Sequence, residues 1–341
     1  MTTKKKTLYI HIGYPKTAST TLQDNLFSIH SEIDYLHDKD LGELSENIFF
    51  GRENAILRNK KHINADLEEV LSKFSEPNNK VVLSSESLTS CSMFFRFNPY
   101  PFVWAPDPSQ IARKLYMIFA ESNLFGEIKI IISIRRQDLL IKSMYAQVYN
   151  LAFKRHKGTR SFNSFLNYAL YKNPKHFIID ALHYESIIQL YKTLFGSNNV
   201  VILIFEDLVN NPEKYAETLS RAIGIDKQYV YECITRNKVN QRSNRDNFYP
   251  SDSRNLVEIL APHKRRWLGE RSLNLRNKRI FNLLQRIYIP GQKLRDVYIP
   301  DHHIDRLNEE FSASNKDLHE KHNLDLMGYG YCTFPYEAPR T

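Results

Sequence analysis

Hydrophobic residues fall in short bounded blocks along the chain, and their spacing changes from block to block. Residues 6–12 (KTLYIHI) are a strand-length apolar run ending in a turn at 13–15. Residues 19–30 (STTLQDNLFSIH) then put Leu22, Leu26 and Ile29 on one stripe at helical spacing. The alternation continues with a helix over 64–74, a short strand at 81–84 (VVLS) and a helix over 109–123. Residues 128–134 (IKIIISI) are the most apolar run, as suits a central parallel strand buried on both faces. A helix over 138–150 follows, with Asp138 as cap and Leu140, Met144 and Val148 on one face. A helix at 183–195, a strand at 200–205 (VVILIF) and a helix at 212–223 with proline in its first turn complete the series. Strand and helix thus alternate to about residue 225, which predicts an α/β fold: a central parallel sheet covered by helices on both faces.

Beyond that point the pattern changes. Residues 236–253 are polar and rich in Asn and Arg, 263–286 are strongly basic, and 301–322 read as a solvent-exposed helix. The expectation is one domain over 1–341: an α/β core over 1–235 and a mostly helical lobe over 236–341 packed on the same sheet. Residues 97–108 (FNPYPFVWAPDP), with Trp104, read as a loop.

Composition alters this picture little. Forty-seven Lys and Arg against 38 Asp and Glu give +9, which suits a polyanionic partner without choosing one. Cys91, Cys233 and Cys332 lie far apart with no metal-ligand spacing, so they read as free thiols in a reducing compartment. The opening MTTKKKTLYIHI has no leader-type apolar core, and no apolar stretch reaches roughly 18 residues. A cytoplasmic protein without a transmembrane segment is expected.

Chemistry is concentrated in residues 13–23 (GYPKTASTTLQ), between the first strand and the first helix. There backbone N–H groups and a helix start converge on an anion. Lys16 supplies a cation, and Thr17, Ser19, Thr20 and Thr21 supply hydroxyls within one turn. A Walker A loop would need Gly at 18 and Lys at 19, where the chain has Ala18 and Ser19. The early lysine followed by a hydroxyl run resembles the 5′-phosphosulfate loop of the sulfotransferase superfamily, K-[ST]-[GA]-[ST]-[ST], and IHIGYPKTASTTLQ looks like its bacterial members. Glycine is common in the family where this chain has Ala18.

A second segment has the family's form. Arg135, ending the strand 128–134, and Ser143, eight residues later, match the Arg and Ser that hold the nucleotide's 3′-phosphate in sulfotransferases. Arginine offers a planar fork to phosphate oxygens and serine a short O–H donor. Neighbouring Arg136 reads as a surface or ion-pair residue. Residues 205–212 (FEDLVNNP) and 314–318 (SNKDL) are similar to architectural segments of the family, with Glu206 and Asp207 capping and pairing.

The resemblance implies a donor, 3′-phosphoadenylyl sulfate, and a product, adenosine 3′,5′-bisphosphate (PAP). Lys16, Thr17, Ala18, Ser19, Thr20, Thr21, Arg135 and Ser143 would bind the nucleotide, Lys16 also serving the leaving phosphate. In-line displacement at sulfur needs a base and cations on the departing oxygen, and no metal is expected. Glu86, in VVLSSES, is the candidate base, by similarity to members with an acidic residue near the sulfate; a turn-capping role is its bland reading. His11, read as a core histidine, and His183 are the alternatives. The acceptor is expected to be a glycan, glycolipid or small molecule. A P-loop-type kinase would need a lysine directly after a loop glycine and an acidic Mg²⁺ ligand, and a nucleic-acid binder a recognisable motif; the sequence has none of these.

Overall fold

A computed structural model of the chain describes residues 5–74, 78–89, 107–148, 161–172, 177–236, 254–255, 288–289 and 299–333. Cys91, Trp104, the basic run 263–286 and nearly all of the loop 97–108 lie outside these residues.

Five strands, β1 (Thr7–Gly13), β2 (Ile33–His37), β3 (Lys80–Ser84), β4 (Glu127–Ile134) and β5 (Val200–Ile204), form one parallel sheet in the order β2-β3-β1-β4-β5. The register pairs His11 with Ser84 on one side and Gly13 with Ser133 on the other. Strand periodicity explains the two-sided burial. Leu8, Ile10 and Ile12 of β1 enter one core with Ile130 and Ile132, whereas Tyr9 enters the other with Val82, Ile131 and Leu203.

The helices before β4 are α1 (Ser19–Leu22, continuing as a π-helical turn over Gln23–Phe27), α2 (Glu43–Phe49), α3 (Glu53–Arg58), α4 (Lys60–Ser72) and α5 (Pro108–Leu115). After β4 come α6 (Gln137–Val148), α7 (Phe162–Asn167), α8 (Phe177–Ala181), α9 (Tyr184–Phe195), α10 (Phe205–Asn210), α11 (Pro212–Ile223), α12 (Lys227–Arg236) and α13 (Asp301–His322). The expected parallel sheet with helices on both faces is therefore present. No helix among the described residues is long and apolar enough to cross a membrane.

Strand β2 and helices α2 and α3 add elements over residues 33–58, to which spacing assigns none, and two expectations are corrected. Ile29 is 55% exposed, because the π-helical turn rotates the stripe and buries Phe27 in its place. Helix α13 is not solvent-exposed throughout: Leu307, Phe311 and Leu318 are buried, and Asn315 bonds Gln137 of α6 (2.7 Å).

The strand order also creates a switch point beside β1. The chain leaves β1 towards β2 and β3 on one side and later crosses to β4 on the other. In open α/β sheets, ligands bind beyond the carboxyl ends of the strands at such a switch point. The loop after β1 lies there.

Candidate functional site

The loop begins where Tyr14 donates its amide to the Ser133 carbonyl (3.1 Å), which fastens it to β4. Its turn closes on the Tyr14 carbonyl, which accepts from both the Thr17 amide (3.2 Å) and the Thr17 hydroxyl (2.5 Å). Lys16 (φ 67°) and Ala18 (φ 64°) are left-handed, and α1 starts directly after Ala18 without a side-chain cap. The hydroxyls therefore divide by role. Thr17, Ser19 and Thr21 are buried, Thr17 supporting the turn, while Lys16, Ala18 and Thr20 are partly exposed at the surface of the loop.

A left-handed conformation costs an ordinary L-residue roughly 1 kcal/mol or more, and glycine escapes that cost. Ala18→Gly should therefore raise the melting temperature, by up to about 1 kcal/mol of stability. A lower melting temperature would show that the methyl's packing and the freer unfolded chain of glycine together outweigh the strain.

Glu86 emerges two residues after β3, on the strand next to β1. Its carboxylate accepts a short hydrogen bond from the Ser19 hydroxyl, so the candidate base touches the loop after β1. In the same turn the Ser85 hydroxyl accepts from the Ser87 amide (3.1 Å), and the Glu86 carbonyl accepts from the Thr89 hydroxyl (2.8 Å). The Ser85 side chain thus caps this turn.

The two histidines are placed differently. His11 is fully buried, with Nδ1 2.7 Å from Ser84 Oγ, Nε2 2.9 Å from Ser133 Oγ and its ring edge-on to Phe27. Burial pushes its pKa down to about 3, so it stays neutral. His183 precedes α9 and faces α13, with Nε2 3.2 Å from Glu310 and its ring against Phe311. Both are engaged in packing and hydrogen bonding within the fold.

Arg135 leaves β4 directly beside the loop. Its Nη1 donates to the Lys16 carbonyl (2.9 Å), and its guanidinium lies over the Phe205 ring (4.5 Å). The buried Nε has no acceptor among the described residues. The backbone beneath is fixed on both sides: the Tyr184 hydroxyl donates to the Arg135 carbonyl (2.6 Å), and the Arg136 amide donates to Glu206 (3.0 Å). Burial pulls the guanidinium pKa below its ordinary value, with the Glu206 carboxylate opposing. Arg136 has the ion-pair role expected of it, gripping Asp138 through two hydrogen bonds (2.7 and 3.0 Å).

Ser143 is half-buried on α6, and the described contacts do not bring it to Arg135. Glu206 and Asp207 pair as the motif suggested, Glu206 accepting from Tyr331 (2.9 Å) and Asp207 from Tyr329 (2.5 Å) and Lys214 (2.9 Å). Tyr184 and Phe205 were not singled out in the sequence; Phe205 begins the FEDL motif, the one signal that could have marked it. No group of three or more His, Cys, Asp or Glu side chains placed to hold a metal occurs among the described residues.

No family model matches the chain, and no curated protein does. Similar solved structures exist. One is the sulfotransferase from Alicyclobacillus acidocaldarius, at 16% identity and TM-score 0.44, covering 64% of this chain and 81% of that one. Another is the sulfotransferase domain of the Synechococcus PCC 7002 olefin synthase, at 14% identity and TM-score 0.38, covering 71% and 82%. A third is a mouse sulfotransferase complexed with PAP, at 13% identity and TM-score 0.37, covering 72% and 69%. All three neighbours are sulfotransferases. Likeness at this level transfers no residue roles, which rest on the geometry above.

Proposed function

We propose that the chain transfers a sulfuryl group from 3′-phosphoadenylyl sulfate to a hydroxyl or amine of an acceptor, a glycan, glycolipid or small molecule. One observation supports this above the rest. The arginine of the second phosphate motif is hydrogen-bonded to the lysine of the first, across 119 residues of chain. It also keeps a buried Nε–H without an acceptor among the described residues. A desolvated cationic donor left unpaired is costly, and an anion beside it would remove that cost.

In this reading each residue has a separate task. Lys16 and the partly exposed Thr20 face the 5′-phosphosulfate, with Lys16 stabilising charge on the departing phosphate oxygen. Arg135, with Ser143 as the expected second donor, takes the 3′-phosphate. Glu86, oriented by Ser19, accepts the proton of the acceptor as its oxygen or nitrogen attacks sulfur and the sulfur–oxygen bond to the donor breaks.

Calorimetry with PAP, ATP and adenosine 5′-phosphosulfate tests this reading. The parent should prefer PAP over ATP; the reverse preference would favour phosphoryl transfer. Arg135→Ala frees the Lys16 carbonyl, so both PAP and adenosine 5′-phosphosulfate should bind less well. PAP should lose a further 1.5–3 kcal/mol or so, the scale of a charge-assisted contact. Equal losses for the two ligands would remove Arg135 from the 3′-phosphate, and a larger selective loss in Arg136→Ala would move the role one residue along.

A further inference from the structure

The inward-facing positions of β1 are apolar except for the face carrying Tyr9, His11 and Gly13, and there His11 is fully buried. An aliphatic side chain would fill this space without polar atoms to satisfy, so the imidazole needs an explanation in hydrogen bonding. Its nitrogens bond the hydroxyls of Ser84 and Ser133, on the two strands that flank β1. Ser84 Oγ also accepts from Gln23 Nε2 (3.0 Å), in the helical run that follows the phosphate loop. The His11 carbonyl accepts from the Ser85 amide (3.2 Å), extending the β1–β3 ladder to the residue before Glu86.

The imidazole is also the floor of the loop. A Cβ added to Gly13 would stand 3.1 Å from His11 Cε1 and 3.0 Å from Ser19 Cβ. Gly13 thus lets the loop rest on the ring, and Ser19, the residue that holds Glu86, is packed at the same point. A hydrogen-bonded buried polar cluster fixes the relative placement of its members more sharply than apolar packing does.

We propose that His11 is a positioning residue, which through Ser84 fixes the end of β3 so that Glu86 meets Ser19 beside the phosphate loop. The consequence for turnover rests on the sulfuryl-transfer reading; the structural tie does not. A misplacement of 1 Å at a reacting group can cost roughly 10²-fold in rate.

The two arms can be separated by substitution. The amide nitrogen of Asn can stand near the position of Nδ1, and that of Gln near Nε2. His11→Asn should therefore keep the arm to Ser84 and lose the arm to Ser133, whereas His11→Gln should do the reverse. Turnover of His11→Gln should fall about tenfold or more below that of His11→Asn, with PAP affinity moving less than turnover. Ser84→Ala should repeat the His11→Gln pattern. The acidic limb of the pH–rate profile should persist in all three variants. Amide exchange over 84–89, measured without substrate, should be faster in His11→Gln than in His11→Asn. Turnover losses that merely follow melting temperature in both variants would reduce His11 to a packing residue, and loss of the acidic limb in both would make it the base. Selective loosening of 84–89 in a protein that binds no PAP would uphold the tie and remove sulfuryl transfer instead.

Discussion

Glu86→Gln is expected to lower turnover on a hydroxyl acceptor by roughly 10²–10⁴-fold, the usual scale of general-base catalysis, while leaving donor affinity nearly intact. The contrast follows from the geometry. The carboxylate accepts a hydrogen bond from Ser19, and the carbonyl oxygen of a glutamine amide accepts the same bond. The Ser85 and Thr89 bonds that shape the turn do not pass through the Glu86 side chain. The variant therefore keeps its turn and its link to the loop but loses the lone pair that takes a proton. The acidic limb of the pH–rate profile should disappear with it. A folded Glu86→Gln protein with turnover within a few-fold of the parent would eliminate Glu86 as the base. His11 would be a poor substitute, buried and bonded at both nitrogens, and His183 is committed to α13.

What the sequence exposes is what depends on local pattern. β1, β4 and β5 read as strands because continuous apolar runs suit strands buried on both faces, and α11 matches its expected span over Pro212–Ile223. β2 was concealed by a buried charge: Asp34 sits within IDYLH, paired with Lys6 (2.9 Å) and bonded by Asn78 (3.0 Å). Polar character there is satisfied by tertiary partners that spacing does not reveal. The buried stripe of α13 was present in Leu307, Phe311 and Leu318 at helical intervals, but a polar and charged composition outweighed it.

The site divides in the same way. The loop is local, so its lysine and hydroxyls are legible as a cluster. The Ser19–Glu86 contact is not, because parallel pairing of β1 with β3 brings together residues 67 apart in sequence. Nor does the motif reveal that the Thr17 hydroxyl serves the Tyr14 carbonyl, or that the Arg135 guanidinium turns towards the Lys16 carbonyl. Which donor of a cluster faces a ligand is a matter of backbone angle, and Lys16 and Ala18 have left-handed angles that residue type alone does not announce.

Those angles also make Lys16→Ala an informative variant. The Arg135 hydrogen bond is to the carbonyl of Lys16, a main-chain group that the substitution leaves in place. The loop is further held by Tyr14 on Ser133 and by Thr17 on Tyr14, bonds that do not involve the ammonium group. Lys16→Ala should therefore fold, its loop still fastened by these main-chain and Thr17 bonds. What it loses, in the proposed reaction, is a cation at the oxygen where negative charge accumulates as the sulfur–oxygen bond breaks. Charge at that oxygen grows from ground state to transition state, so the cation acts more strongly on the latter. Turnover should fall by roughly 10² or more, with PAP affinity reduced by a smaller factor. Steady-state kinetics beside calorimetry separate the possibilities. A parental turnover with weakened donor binding would assign Lys16 to uniform binding of the nucleotide, and the charge on the leaving oxygen would have to be met by another donor of the loop.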